Sequence, residues 1–375
     1  MEDLVNPQAG APSVRQLWKD RRVFLTGHTG FKGGWLALWL NHLGAHVRGY
    51  SLDPEGDPSF FSACKIDRSV QDLRGDLRDQ VRLDQAMREF EPEVVFHLAA
   101  QPLVLRSYAD PVSTYSTNVL GTAHLLESIR TLSSVRAAIV ITTDKCYQNR
   151  EWLWGYREND PLGGYDPYSS SKACVEILTA SYRNSFFPAE HFCRHRVALA
   201  TARAGNVIGG GDWSVDRLLP DLLRGFLTGN PVLIRHPSAI RPWQHVLEPL
   251  AGYLTLAERL LQGDVRFADA WNFGPRDEDA WPVSRIADAM AQRWGNSATW
   301  TRDNSESVHE AGYLKLDSSK ARAELGWQSH LSLQVALEWL VDWYVAWHQG
   351  GEMQKITLSQ ICQYEHLLSH RDANI

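Results

Sequence analysis

From residue 22 onward, short continuous apolar runs alternate with longer stretches in which apolar residues return every three or four positions. The run Arg-Val-Phe-Leu-Thr (22–26) comes first. Trp35, Leu36, Trp39, Leu40 and Leu43 then fall on one side of a helix, and Gly44 is placed to stop it. A second run, HVRGYSL (46–52), ends at Asp53-Pro54. The pattern recurs as a helix over 81–90 with Pro92 as breaker, a strand VVFHLAA over 94–100, and a helix over 114–130. A strand AAIVITT over 137–143, a helix over 168–186 and a strand VALATARA over 197–204 complete it. Strands that are apolar throughout are covered on both faces, and strands separated by helices pair in parallel. The pattern predicts an α/β protein built on a Rossmann-type, doubly wound parallel sheet.

Beyond about residue 206 the alternation weakens. Residues 206–240 are rich in Gly, Pro and Arg, and 276–345 read as mostly helical with loops. The expected layout is an N-terminal arm (1–17), a dinucleotide-binding domain (18–205) to which part of 241–275 returns, a smaller C-terminal substrate-binding lobe (206–240 and 276–350), and a C-terminal tail (351–375). Ligands in such sheets bind at the C-terminal ends of the strands.

The glycines of T-G-H-T-G-F-K-G-G (26–34) take on meaning in this context. They follow a strand and open a helix, which is where a phosphate loop belongs. Gly27 suits the tight turn, Gly30 the approach of a pyrophosphate, and Gly33 close helix–strand packing. The spacing G-x-x-G-x-x-G is one residue longer than the commonest dinucleotide fingerprint. Asp53 stands twenty residues after Gly33, where an acid holds the adenosine ribose. Its neighbourhood, S-L-D-P-E-G-D, repels a 2′-phosphate and favours NAD over NADP, although Lys32 in the loop pulls the other way. Asp76 is placed either to reach the adenine or to cap the next helix.

Further on, Asp166 is a good N-cap and Pro167 suits a first helical position. That puts Tyr168 and Lys172 one turn apart on one face. A tyrosine hydroxyl titrates near pH 10, too high for a base at neutral pH, unless a neighbouring ammonium stabilises the phenolate. Such a pair can take a proton from a sugar hydroxyl while hydride leaves its carbon. Thr142-Thr143-Asp144-Lys145 ends the preceding strand and brings a hydroxyl, an acid and an ammonium to the same end of the sheet.

Composition narrows the picture further. The 375 residues are 44% hydrophobic and 22% charged, with a formal net charge of −6, which gives no support to nucleic acid as a partner. The first residues, MEDLVNPQAGAPSVRQ, lack the basic start and apolar core of a signal peptide, and no run is long enough to span a bilayer. The five cysteines form no C-x-x-C pair, which argues against a zinc site or disulfide framework and for the cytoplasm. No clustered metal-ligand pattern is present.

Together LTGHTGFKGGWLALWL, HLAAQPLV, TTDKCYQN, LGGYDPYSSSKACVE, RAGNVIGGGDW and RPWQHVLEPLAGYL resemble the extended short-chain dehydrogenase/reductases. Within them they are similar to the nucleotide-sugar 4,6-dehydratases, over about residues 18–350. The narrower motifs TTDKCYQN and GNVIGGGDW point to the branch acting on CDP-D-glucose. The resemblance implies bound NAD, contacted by Gly27, Thr29, Gly30, Phe31, Lys32, Gly33, Asp53, Asp76, Leu77, Leu98, Ala99, Ala100, Tyr168 and Lys172. It implies that Tyr168 deprotonates the C4 hydroxyl beside Thr143, with Lys172 tuning it, and that hydride leaves C4 for NAD. Water then departs across C5–C6 with Asp144 as acid, and hydride returns to C6. Better-known dehydratases of this group carry Glu, the base at C5, where this chain has Lys145, so the C5 base is open: Lys145 itself, or another group with Lys145 stabilising the enolate.

By the same resemblance Gln101, Asn206, Arg217 and Arg241 belong to the substrate site, Arg being suited to the diphosphate. Gly209-Gly210-Gly211 could admit the nucleotide, and Trp213 and Trp243 read as packing residues. His97 reads as a core histidine; Cys146 and Cys174 have no adjacent histidine to activate them. Relatives pair through helices like 114–130 and 168–186, which implies a homodimer or a homotetramer. The alternatives are another nucleotide-sugar dehydratase, a 4-epimerase using the same Tyr, Lys and NAD, and a catalytically silent NAD-binding protein.

Overall fold

The computed structural model describes residues 14–215, 217–295, 298–303 and 313–372. Its strands are β1 (Arg22–Thr26), β2 (His46–Ser51), β3 (Gln71–Arg74), β4 (Val94–His97), β5 (Ala137–Ile141), β6 (Ala198–Ala204), β7 (Asn206–Ile208), β8 (Val232–Ile234), β9 (Ile240–His245), β10 (Ala270–Phe273), β11 (Ala280–Pro282) and β12 (Trp300–Arg302). Seven of them form one sheet in the order β10-β6-β5-β4-β1-β2-β3. Every pairing in it is parallel. The order reverses direction between β1 and β4, the position where doubly wound sheets bind their ligands.

The longer helices are α1 (Phe31–His42), α2 (Gln80–Phe90), α3 (Gly121–Thr131), α4 (Pro167–Ser185), α5 (Leu218–Thr228), α6 (Leu247–Leu261), α7 (Val283–Trp294), α8 (Leu333–His348) and α9 (Met353–Asp372). Residues that point to opposite faces of each strand enter different cores. Val23 and Leu25 pack with Trp35, Leu36 and Leu40 of α1 and with Leu250 and Leu254 of α6. Phe24, Val95, Ala138 and Val140 pack with Leu83 and Met87 of α2, Leu125 and Ile129 of α3, and Val175 of α4. β5 and β6 are buried along their whole length, as strands covered on both faces must be.

The helix expected over 114–130 is longer and irregular. It runs from Pro111 to Thr131 and contains a π-turn at Ser116–Leu120. Two strands stop three and two residues early, at His97 and Ile141, because the chain turns there to make the site described below. β3 escapes an apolar pattern altogether: Gln71 and Asp72 are exposed at the sheet edge.

Residues 206–245 and 276–302 contribute a small sheet in the order β11-β9-β7 and the pair β12-β8, packed with α5, α7 and α8. Between these segments, α6 and β10 return to the main sheet. The C-terminal residues form α9, which docks on α1 and α6. Glu365 accepts from Trp39 Nε1 at 2.9 Å, and Tyr364 Oη donates to Glu248 at 2.7 Å. No helix among the described residues is long and apolar enough to cross a membrane.

Candidate active site

The loop after β1 meets the loop after β4 at the point where strand order reverses. Gly27 has φ +82°, and a Cβ on it would lie 2.7 Å from Ala99 N. A Cβ on Gly33 would lie 2.0 Å from the Gly27 carbonyl oxygen, so glycine alone lets the start of α1 press on the turn. Gly30 differs: φ is −79°, and a Cβ there would touch only that carbonyl oxygen, at 3.4 Å. The chain's own packing leaves its outer side clear. Thr29 braces the loop to the end of β2 through Ser51 Oγ at 2.7 Å and the Leu52 carbonyl at 3.1 Å. Leu98 N and Ala99 N donate to the carbonyl and hydroxyl of Thr26, and Ala100 follows half-buried. The loop, the free N–H groups of the first turn of α1 and the shelf at 98–100 together form a cradle of the shape and polarity a dinucleotide pyrophosphate requires.

Asp53 lies just past the end of β2 with its side chain 88% exposed, and Arg74 comes within 3.7 Å of it. Arg74 is itself held by Asp72 at 2.9 Å and lies over the Phe61 ring. Asp76 turns to its neighbour Arg78, whose hydrogen bonds hold the carboxyl below the usual range. The cap of α2 is Asp79 instead. Leu77 is buried against Gly121. Phe31 packs edge-on to Phe60.

Lys32 does not face Asp53. Its ammonium sits 5.8 Å over the Tyr253 ring on the catalytic side of the loop. There burial, with Arg217 and Lys172 nearby, pulls its pKa down to about 7. The lysine in the glycine loop is therefore no counter-argument to Asp53.

The catalytic end is built by β5 and α4. Thr143 caps a short turn, Asp144–Cys146, by accepting from Lys145 N at 3.3 Å. Its hydroxyl donates to Asp144 Oδ1 at 2.8 Å. It also bonds Tyr168, which descends from the first turn of α4. That turn is set by Asp166, which caps it through Ser169 N at 2.9 Å, with Pro167 in the first position. Tyr168, Thr143 and Asp144 thus form one buried hydroxyl–hydroxyl–carboxyl chain. Gly205 leaves room for the acid, since a Cβ there would stand 3.0 Å from Asp144 Oδ2. Lys145 is half-buried on the same turn.

Burial raises the Tyr168 phenol to about 12, against a downward push from Arg217 and the Thr143 hydrogen bond. Lys172, one turn on, donates to the Ile141 carbonyl at 3.2 Å, and burial lowers its pKa to about 8. Arg217 is thus a second positive group acting on Tyr168, beside Lys172 one helical turn away.

Of the remaining substrate-site candidates, Arg217 lies at the N-terminus of α5, held by buried Asp212 at 3.0 Å. Asn206 is half-buried on β7 beside Trp243. Arg241 is on β9, but its side chain lies outside the described residues. Gln101 has its amide engaged within the chain: Nε2 donates to Leu103 O and Thr114 Oγ1, and Oε1 accepts from Leu103 N at 2.6 Å. It braces the loop after β4. Gly210 and Gly211 admit aromatic side chains instead of a nucleotide, since Cβ atoms there would lie 2.0 Å from the Trp343 ring and 2.4 Å from Phe60. Trp213 packs edge-on among Trp343, Tyr344 and Trp347. His97 is a core histidine bonded to Thr26 and Thr122.

Three buried polar residues were invisible to sequence reasoning. Asn118, in the π-turn, holds the Gln101 backbone and Ser171 Oγ at 2.8 Å. Glu176 and Arg203 pair at 2.8 Å beneath the catalytic turn. Glu176 shares the Tyr168 and Lys172 face of α4, but that spacing alone does not show its partner Arg203. Far from this site, among the described residues, His42, Cys362 and Glu365 converge. The Arg15 guanidinium, 2.7 Å from His42 Nε2, already supplies that trio with a cation.

The family model for GDP-mannose 4,6 dehydratase matches residues 24–197. A CDP-glucose 4,6-dehydratase of Salmonella typhimurium is 52% identical over 350 residues, covering 93% of this chain and 98% of that protein. A dTDP-glucose 4,6-dehydratase of Xanthomonas campestris is 24% identical, over 87% and 94% of the two chains. Among solved structures, a dTDP-glucose 4,6-dehydratase of Bacillus anthracis in complex with NAD superposes with a TM-score of 0.71 at 17% identity, over 89% of this chain and 99% of that one. The fold is shared across all of these, and the extent and identity of the Salmonella match go further: the chain belongs to the nucleotide-sugar 4,6-dehydratases.

Proposed function

We propose that the protein is an NAD-dependent CDP-D-glucose 4,6-dehydratase, yielding CDP-4-keto-6-deoxy-D-glucose and water. The observation that carries this reading is the buried chain Tyr168–Thr143–Asp144 at the ends of β5 and α4, in a protein 52% identical to a CDP-glucose 4,6-dehydratase. An oxidoreductase or an epimerase needs the tyrosine; only the loss of water gives a carboxylic acid beside it work to do.

NAD fits the cradle, since glycine at 30 is dispensable for packing yet leaves the outer side of the loop clear. When bound, NAD supplies a hydride acceptor for C4, a donor for C6 and a positive ring that favours the phenolate. Tyr168 takes the proton of the C4 hydroxyl, and Thr143, bonded to both Tyr168 and Asp144, aligns that hydroxyl. Once C4 is a ketone, the C5 proton is acidic. Lys145 is the group we place at C5, on the same turn as Asp144 and able to carry a proton. Asp144 protonates the C6 hydroxyl, which departs as water. Arg217, together with Arg241 and Asn206, receives the diphosphate.

Exposed apolar residues support a homodimer or homotetramer formed through helices 111–131 and α4. Val112 is 77% exposed, Leu120 55% and Ile177 60%. Five free cysteines suit the reducing cytoplasm.

The test is to incubate protein and NAD with CDP-, dTDP-, GDP- and UDP-linked hexoses and follow product mass. Loss of one water from CDP-glucose alone is expected. A product of unchanged mass and altered stereochemistry would make the protein an epimerase, and NAD binding without turnover would make it a silent binder.

A further inference from the structure

Glu176 is buried, one helical turn beyond Lys172 and two beyond Tyr168 on α4. Its carboxylate has no contact with the cradle, yet every oxygen is used. Oε1 accepts a short hydrogen bond from Thr142 Oγ1. Oε2 accepts from Thr201 Oγ1 at 2.8 Å and from Arg203 Nη2 at 2.8 Å. Arg203 in turn donates to Tyr147 Oη at 2.6 Å and the Glu158 carbonyl at 3.0 Å, and Tyr147 Oη donates to Asn272. Burial pushes the Glu176 carboxyl up, but the charge and hydrogen bond of Arg203 with the two threonines outweigh it and hold the group ionised. Apart from Arg203 Nε, which has no partner, the polar atoms of this buried network are bonded, and such a network holds its members in one arrangement.

Two consequences follow from where this carboxylate sits. Thr142 immediately precedes Thr143 and Asp144, so the bond from Glu176 anchors the strand end from which both emerge. Ile141, whose carbonyl receives the Lys172 ammonium, is the next residue back. Glu176 is also the charge that most favours protonated Lys172, since the buried Cys146 thiol stays neutral. The other charged or titratable groups facing this region are Lys32 from α1, His97 from β4, Arg203 from β6 and Arg183 from α4 itself, with Tyr168 and Asp144 at the catalytic end. His97 is neutral in its buried site, and Lys32 opposes the charge on Lys172. Among the described residues no acid forms an ion pair with Lys172, so Glu176 acts on it across one helical turn.

We propose that Glu176 is a positioning residue of the dehydration: through Thr142 it fixes the Thr143–Asp144 turn, and through its charge it keeps Lys172 an ammonium beside Tyr168. The proposal rests on the dehydratase reading above.

The test compares kcat–pH profiles on CDP-glucose with an activity-independent titration of Lys172 by NMR of ¹³Cε-labelled lysine. In Glu176→Gln the alkaline limb and the Lys172 titration both move to lower pH, by about one unit for loss of one nearby charge. Glu176→Asp restores part of that shift. Thr142→Val removes the bond but not the charge, so it lowers kcat several-fold without moving the limb. Because Glu176→Gln leaves Arg203 buried without its partner, the pair Glu176→Gln/Arg203→Met is made alongside it. This neutral pair folds and shows the same acid shift. Wild-type protein without turnover would overturn the dehydratase reading. Active wild-type with a Lys172 titration unmoved in both Glu176 variants would overturn the role given to Glu176 alone.

Discussion

Gly30 and Gly33 are three residues apart in one loop, yet the structure assigns them opposite sensitivities to the same added methyl group. At Gly30 the backbone is extended, φ −79° and ψ 166°, and the new Cβ meets only the Gly27 carbonyl at 3.4 Å. Alanine fits without strain, and the smaller entropy of its unfolded chain stabilises by about 0.4–1 kcal/mol. With an unfolding entropy of about 2.1 cal/mol/K per residue over 375 residues, that raises Tm by only about 1 °C. At Gly33 the Cβ would be 2.0 Å from the Gly27 oxygen, 2.7 Å from its carbon and 3.1 Å from the His28 Cα. The turn must open by about an ångström, an overpacking cost of about 1–3 kcal/mol, and Tm falls by about 1–4 °C. NAD binding separates the two further. A methyl at Gly30 occupies the outer side of the loop where the pyrophosphate approaches, and an overpacking cost of about 1.4 kcal/mol or more there weakens binding about tenfold or beyond. Calorimetric titration with NAD and thermal melts with and without it read both quantities. The expected pattern is Gly30→Ala with an intact fold and weakened NAD, and Gly33→Ala impaired in both. Gly30→Ala binding NAD like wild-type would refute the placement of the pyrophosphate. Gly33→Ala melting like wild-type would refute the close contact at the turn.

Other outcomes follow from the same geometry. Tyr168→Phe keeps NAD affinity but loses about 10²–10⁴ in kcat on CDP-glucose, which steady-state turnover checks. Asp144→Asn still oxidises C4 but releases water slowly; rapid-quench mass spectrometry should catch the 4-keto sugar before water is lost, and unchanged water release would remove Asp144 as the acid. Glu248, wholly buried in α6, has its pKa raised by burial from 4.5 to about 7. Its folded form therefore favours the proton, so its contribution is fully present below pH about 4.5 and is lost as pH rises to about 7, by about 3 kcal/mol. Glu248→Gln, which can keep the bonds to His330 N, Leu331 N and Tyr364, is expected to match wild-type Tm at pH 5 and exceed it at pH 8. Leu120→Asp with Ile177→Asp places charge on the exposed helices and shifts the protein to monomer by light scattering; unchanged mass would move the interface elsewhere.

Much of the site was legible because its constraints are local. A glycine at positive φ, an Asp-Pro cap and a tyrosine four residues before a lysine each carry their geometry in a few consecutive residues. The fold was legible for a similar reason: β5 and β6 are buried along their whole length, and β5 has no polar interruption while β6 has only Thr201 and Arg203. What the sequence hid depends on residues far apart in the chain. β3 has no apolar run because it lies at the sheet edge. Glycines 210 and 211 look like a second ligand loop until Trp343 and Phe60 are seen to fill the space beside them. The Glu176–Arg203 pair joins a helix to a strand 27 residues away, and neither residue has a neighbour in sequence that announces it.

The same distinction governs the charge of the site. Taken over its length the chain carries −6, and from that number a binding site for a doubly charged diphosphate would not be expected. The fold instead gathers positive groups where strand order reverses. Lys32 from α1, Lys172 from α4 and Arg217 from α5 come close enough that the second and third lower the pKa of the first. Three carboxylates steady this cluster: Asp212 fixes Arg217, Asp144 favours the charge on Lys32, and Glu176 sustains that on Lys172. The arrangement leaves the cations repelling one another, and an anionic diphosphate relieves that repulsion. Local charge of this kind arises from topology, which brings residues 32, 172 and 217 together, and no running sum along the sequence can anticipate it.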